Sequence, residues 1–229
     1  MNWELTSLLI LFLPLLAFII QLFFGKSLGK KCHNVSLFIL GIVLLLSFSL
    51  ISKGDYSYHK YHDFNNSKAE KFEEAMQSQY KFIDLGSFTA DLGIKIDNIT
   101  IIMLIVVSLI SFLVHLYSTE YMKGDPRYSR YFAFLGIFTF SMNGIVLADS
   151  LFVMYVFWEL VGLSSFLLIG FWFEKDSAAN ASKKAFLTNR VGDIGMFIGI
   201  MLFFFNTGTF NIDEIIYNIN SWTDSDYTM

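Results

Sequence analysis

Cysteine, proline and charge are all scarce in this chain of 229 residues, and each scarcity removes a class of protein. The single cysteine, Cys32, excludes a disulfide within the chain and a cysteine-ligated cluster built from the chain alone. There is no CxxC pair, no HExxH and no Gly-rich phosphate loop, so zinc-protease, iron–sulfur and nucleotide-binding motifs are missing. No basic stripe runs along any segment, and nothing points to nucleic acid. Charged residues make up 16% of the chain, against about a quarter in soluble domains. The formal net charge of −4 matters less than where the charges fall.

What is present is apolar and bunched. Hydrophobic residues make up 55% of the chain, Phe alone contributes 26, and they gather into long runs, which is the membrane pattern. The N-terminus opens with Asn2, Trp3 and Glu4 rather than a basic region, and the apolar run behind them is too long for a cleaved signal. It reads as a retained membrane helix. Six spans follow from the runs: Leu5 to Phe24, Val35 to Ile51, Ile99 to Tyr117, Tyr131 to Ala148, Ser150 to Phe173, and about Ala185 to Phe205. Pro14 falls inside the first, where a neighbouring helix can satisfy the carbonyl that proline frees.

Short connections fix the orientation. Lys26, Lys30 and Lys31 follow the first span, Lys123, Arg127 and Arg130 the third, and Lys175, Lys183 and Lys184 the fifth. Connections on the opposite side are poor in bases: Asp149 stands alone between the fourth and fifth spans, and the segment after the sixth has four acids and no Lys or Arg. The positive-inside rule then places the N-terminus outside, with odd spans running inward. The long connection Ser52 to Asn98 holds six lysines against eight acids, and long loops obey the rule weakly. Within it, residues 67–80 predict a short charged surface helix. Residues 82–97 alternate, with Leu92, Ile94 and Ile96 opposite Asp91, Lys95 and Asp97, and predict a β-hairpin on the outer surface. Beyond the sixth span, Phe210, Ile212, Ile215, Ile216 and Ile219 predict an amphipathic surface helix. The fold class is therefore all-α and polytopic, with about six transmembrane helices and a small outer hairpin. Its divisions are residues 1–51 (two spans), 52–98 (outer loop), 99–205 (four spans) and 206–229 (outer amphipathic segment).

Glu159 is the residue that carries most chemistry. It is the only ionisable Asp, Glu, Lys, Arg or His side chain between Ser150 and Phe173. At 1.5 Å per residue it lies about 14 Å along the span, near the middle of a hydrocarbon core of roughly 30 Å. Ionisable groups at that depth face a bundle interior or water and commonly move protons or ions. Arg190 and Asp193, three residues apart on the sixth span, share a face. They read either as a local ion pair or as members of a charged chain with Glu159. Burial raises a carboxyl pKa and a nearby cation lowers it, so a movable neighbour makes such a group a proton relay. A protonated Glu159 that merely bonds another helix is the structural alternative.

Other candidates are weaker. His115, near the inner end of the third span beside Tyr117 and Glu120, could feed protons from the inner side or simply anchor the interface. Lys184 stands where the inner side meets the sixth span. Gly162, Ser164 and Ser165 suit close helix packing, and Thr139 and Asn143 suit a polar path or bonds across helices. His59 and His62 have a metal-like spacing but no carboxylate or thiol cluster beside them.

Two blocks carry a resemblance. YFAFLGIFTFSMNGIVLADSLFVMYVFWELVGLSSFLLIGFWF and KKAFLTNRVGDIGMFIGI, with HLYSTEYMKGDPRYSRYF before them, resemble the large antiporter-like membrane subunit of respiratory complex I, the subunit L type of NADH-quinone oxidoreductase. The resemblance covers most of the chain and is weakest over 52–80. It implies a proton-translocating subunit with no redox centre of its own; NAD, FMN, iron–sulfur clusters and quinone would belong elsewhere in the complex. Glu159 matches the family's essential glutamate, which is thought to partner a lysine on the seventh helix, and Arg190 and Asp193 match a charged pair on the sixth. Partners would be other complex I membrane subunits, above all the adjacent antiporter-like one, and the lipid bilayer, in a bacterial inner membrane. Family members carry many more helices, so the chain reads as an N-terminal portion, with the lysine-bearing seventh helix beyond Met229. The large subunit of a multisubunit Na⁺/H⁺ antiporter shares the same core and glutamate and is an alternative reading; a non-pumping structural membrane subunit is a second.

Overall fold

A computed structural model describes residues 2–51, 76–84 and 89–226. Six long helices dominate: α1 (Trp3–Leu28), α2 (Cys32–Ile51), α3 (Asn98–Tyr121), α4 (Tyr128–Leu147), α5 (Leu151–Ile169) and α6 (Asp176–Thr207). Each is long and apolar enough to cross a membrane. The spans expected from the apolar runs are all present. The sixth starts nine residues before the expected Ala185, because hydropathy marks only its apolar part and the helix continues through the polar turns carrying Ser182, Lys183 and Lys184. A seventh helix, α7 (Ile212–Asp226), is the amphipathic segment expected after the sixth span.

Two strands, β1 (Met76–Asp84) and β2 (Thr89–Ile96), pair antiparallel, with Met76 opposite Ile96 and Tyr80 opposite Leu92. This corrects the expected surface helix over 67–80. Residues 76–80 are strand, and the rest of that stretch, like His59 and His62, lies outside the described residues. The period-2 pattern of 91–97 pulls its partner into register across the turn, and pairing overrides the helical charge spacing.

Helix ends are set locally. Asp97 accepts a hydrogen bond from the Thr100 amide at 2.7 Å and caps α3; Ser150 accepts from the Val153 amide at 3.3 Å and caps α5. Gly208, at φ 76°, ends α6 in the left-handed conformation that glycine adopts without strain.

The helices α1 to α4 form a packed quartet. One core gathers Ile10, Leu11, Val43, Leu50, Ile96, Ile101, Leu104 and Leu147. Pro14 lacks the amide that would bond the Ile10 carbonyl, and Asn143 of α4 donates to that carbonyl at 3.2 Å. Gly136 sits two turns before Asn143 on α4, where a Cβ would lie 3.3 Å from backbone atoms of Pro14 and Phe18. The absence of a side chain there is what lets α4 approach α1 so closely.

The hairpin closes one end of this bundle. Gly93 rests on Asp149, where a Cβ would overlap the carboxylate, and Gln77 donates to Asp149 at 3.4 Å. Lys95 pairs with Asp213 of α7 at 2.5 Å. The connections Leu28–Cys32, Tyr121–Tyr128 and Ile169–Asp176 occupy the other, basic end.

Candidate functional site

The sequence requires α5 and α6 to run side by side in opposite directions, because only Gly170 to Lys175 joins them. Residues near the middle of each are then neighbours. Two of the three expected charged groups meet there. Arg190 Nη1 donates to Glu159 Oε2 across the α5–α6 seam. Tyr155, one turn before Glu159 on α5, donates its hydroxyl to Glu159 Oε1 at 2.7 Å. Each carboxylate oxygen therefore holds one donor. The Arg190 guanidinium also lies 4.8 Å from the centre of the Phe186 ring, a cation–π contact.

Asp193 takes a different partner. It is 6% exposed and accepts from Trp158 Nε1 at 3.2 Å. No Arg190–Asp193 ion pair occurs among the described residues, so the local-pair reading of those two is corrected. Which carboxylate the guanidinium meets depends on the rotation of α6 against α5, and here Arg190 points at Glu159. Tyr155 and Trp158 escaped the sequence reading. Tyr155 could have been found from its i−4 spacing to Glu159, which puts it on the same face; the indole had no such signal.

Burial is uneven. The Glu159 side chain is 19% exposed and that of Arg190 40%. An ionised side chain at mid-membrane costs about 2.5–3.5 kcal/mol or more. Pairing across the seam offsets part of that cost. The exposed edge of Arg190 lies on a helix whose outward face (Leu187, Val191, Ile194, Ile198) is also uncovered.

The other expected residues lie elsewhere. His115 is 1% exposed in the α3–α4 seam, its Nδ1 2.8 Å from the Ser111 carbonyl and its ring against Phe132. A carbonyl only accepts, so Nδ1 carries the hydrogen. Nε2 has no protein partner among the described residues. No hydrogen bond links His115 to the Glu159 group among those residues. Lys184 is exposed near the basic end of α6. Thr139 and Asn143 bond across or along helices within the quartet. Gly162 faces open space rather than a packed neighbour, and Ser164 donates to its own helix at Val161.

The basic end carries a second group that the sequence reading did not assemble. Arg127 donates to both oxygens of Glu174, at 2.6 and 3.1 Å, and lies 5.2 Å from the Phe171 and Phe173 ring centres. Trp172 Nε1 donates to Asp125 at 3.0 Å. The α3–α4 connection thereby holds the α5–α6 connection.

Six candidate membrane spans thus carry, among the described residues, a carboxylate–guanidinium pair near the middle of two adjacent helices. Residues 82–132 match the family described as NADH-Ubiquinone oxidoreductase (complex I), chain 5 N-terminus, and residues 148–229 that described as NADH:quinone oxidoreductase/Mrp antiporter, TM. The chain belongs to this antiporter-like family of complex I chain 5 type. It is 40% identical over 200 residues to a chloroplastic NAD(P)H-quinone oxidoreductase subunit 5 of Angiopteris evecta, covering 87% of this chain and 24% of that protein. The Marchantia polymorpha counterpart is 37% identical over 214 residues, covering 89% of this chain and 29% of the relative. The chain thus spans about a quarter of the length of the curated relatives it matches. A chain of the membrane-bound sulfane sulfur reductase, an archaeal respiratory membrane complex, shares the fold. Its TM-score is 0.67 at 17% identity, over 91% of this chain and 39% of that one.

Proposed function

We propose that the chain forms the first part of a proton-translocating membrane subunit of an NAD(P)H:quinone oxidoreductase, the counterpart of subunit L, with Glu159 as its protonatable site. The observation that carries the reading is the Glu159–Arg190 pair at mid-span, with Asp193 three residues beyond Arg190. The match over 82–132 supports the complex I reading over the Na⁺/H⁺ antiporter. The basic connections support a basic end on the inner side and an N-terminus outside, in whichever energy-conserving membrane holds the chain; a bacterial plasma membrane is our reading. Redox cofactors and quinone belong to other subunits, and the adjacent antiporter-like subunit is the nearest partner.

The chemistry follows from the three charged groups. Ionised Glu159 accepts from Tyr155 and Arg190. A proton arriving on Glu159 removes the charge that holds Arg190. The guanidinium then turns toward Asp193, which shares its face of α6. Loss of the proton restores the first pairing. Arg190 so couples the occupancy of Glu159 to the next carboxylate along the seam, while Tyr155 keeps the carboxyl oriented in both states. The test is proton translocation per NAD(P)H oxidised by the assembled complex in proteoliposomes. Glu159→Gln should lower it strongly with assembly intact, and Asp193→Asn should lower it less. Full stoichiometry with Glu159→Gln would remove this residue from the mechanism and leave the structural reading.

A further inference from the structure

At the basic end, α4, α5 and α6 enclose a cavity of about 350 Å³. Its rim carries Arg130, in the first turn of α4, and Lys183, on α6. Its depth is lined by Phe134, one turn further into α4, and by Phe166 and Leu167 in the last turn of α5. The wall exists because Gly170 lets the end of α5 meet α6: a Cβ there would stand 3.0 Å from Ser182 Oγ.

The two rim cations differ from most of their neighbours. Lys123 is paired with Glu120, Arg127 with Glu174 and Arg190 with Glu159. Arg130 and Lys183 are both exposed, and neither has an acidic partner among the described residues. Two unpaired cations therefore stand over an aromatic pocket, at the level where the spans meet the interface. The volume is at the low end of small-molecule sites and too small for a helix. Basic pockets between transmembrane helices on this side of a bilayer suit anionic head groups. The apolar depth suits the start of an acyl chain.

We infer that the Arg130–Lys183 cavity is a binding site for an anionic glycerophospholipid, its phosphate held by the two cations and its glycerol and proximal acyl carbons packed on Phe134, Phe166 and Leu167. The inference rests on the membrane placement and the inner-side orientation proposed above, and is independent of what Glu159 does.

The test is photolabelling of the membrane complex that contains the chain, in nanodiscs doped with a photoreactive phosphatidylglycerol or the matching phosphatidylcholine. Peptides spanning residues 166–183 should take the anionic probe about tenfold or more over the zwitterionic one, the scale that two interfacial basic residues supply. Arg130→Gln with Lys183→Gln should bring the ratio near one. Arg130→Lys with Lys183→Arg should keep it, which separates lost charge from lost folding. Lys123→Gln, outside the cavity, should also keep it. Equal labelling by the two probes in the unaltered complex would overturn the inference, as would a preference that survives the glutamine pair. Suppression of labelling by millimolar inorganic phosphate would show a free-phosphate site instead and overturn the lipid assignment.

Discussion

The quartet α1–α4 and the pair α5–α6 are both candidate membrane spans yet handle polar groups in opposite ways. Within the quartet, buried polar side chains are amides, hydroxyls and one imidazole, and they bond carbonyls or each other. Asn143 donates to the Ile10 carbonyl, Ser47 and Ser108 meet at 2.9 Å, and Gln21 donates to the Cys32 carbonyl at 3.2 Å. No ion pair lies within the spans of the quartet among the described residues. The α5–α6 seam holds the mid-span ion pair and Asp193, on helices whose outer faces remain largely uncovered. Neutral groups serve where packing is denser, and the charges sit on the two helices with the least buried faces.

The same substitution in the two regions breaks the comparison most sharply. Gly136→Leu pushes a side chain into the α1 backbone, because a Cβ alone already lies 3.3 Å from Pro14 O and Phe18 N. Overpacking of this kind costs about 1–3 kcal/mol and more where backbone must move, so we place it near the top of that range. Gly195→Leu on α6 meets nothing within 4 Å and should change stability little. The midpoints of thermal unfolding of the detergent-solubilised variants check the pair; equal losses would mean that the two regions are packed alike.

Next in size is the proline-specific bond. Asn143→Leu leaves the Ile10 carbonyl without its donor inside the bundle, a loss of about 1–3 kcal/mol for a buried acceptor. In a Pro14→Ala background the helix supplies its own amide, and the same change should cost clearly less. A double-mutant cycle on unfolding free energy measures the difference. Additive losses would show that Asn143 acts through packing alone.

The seam itself should show coupling of smaller size in stability than in function. Arg190→Gln and Glu159→Gln each remove one partner of a pair that is partly exposed, so the coupling energy should be about 1 kcal/mol, between the values for surface and buried pairs. A coupling energy indistinguishable from zero would mean that the guanidinium does not hold Glu159 in the folded protein.

Much of this was legible from residue order. The spans follow from apolar runs longer than a bilayer needs, and Pro14 inside the first run called for an outside donor. Glu159, Arg190 and Asp193 fall at similar depth because the helices are antiparallel with a short turn. What residue order does not contain is rotation about a helix axis. Arg190 could have met either carboxylate, and only the packing of α6 on α5 turns it to Glu159 and leaves Asp193 to the Trp158 indole. The strand at 76–80 was hidden for a related reason. Its local charge spacing is helical, and the partner that makes it a strand lies beyond the turn, at Leu92 to Ile96. The Arg127–Glu174 clasp likewise joins two connections 47 residues apart, and nothing in either segment names the other.

That clasp gives the smallest effect and the one that tests the basic end. Hydrogen bonding to Arg127 holds the Glu174 carboxyl below its ordinary value of 4.5, with a lesser opposing push from nearby Asp125. A carboxyl lowered in the folded state adds stability that is fully present above the unfolded value and is lost as pH falls through the folded one. The contribution should therefore be intact at pH 6, begin to fade near 4.5 and vanish further into acid. Glu174 is exposed to solvent, so salt screens the pair and the shift in midpoint should be slight. Arg127→Gln should flatten this part of the acid limb, measured as thermal midpoint against pH at low ionic strength, while Lys123→Gln should leave it unchanged. An acid limb unaltered by Arg127→Gln would mean that α5 and α6 are held at this end by the aromatic contacts of Phe171 and Trp172 alone.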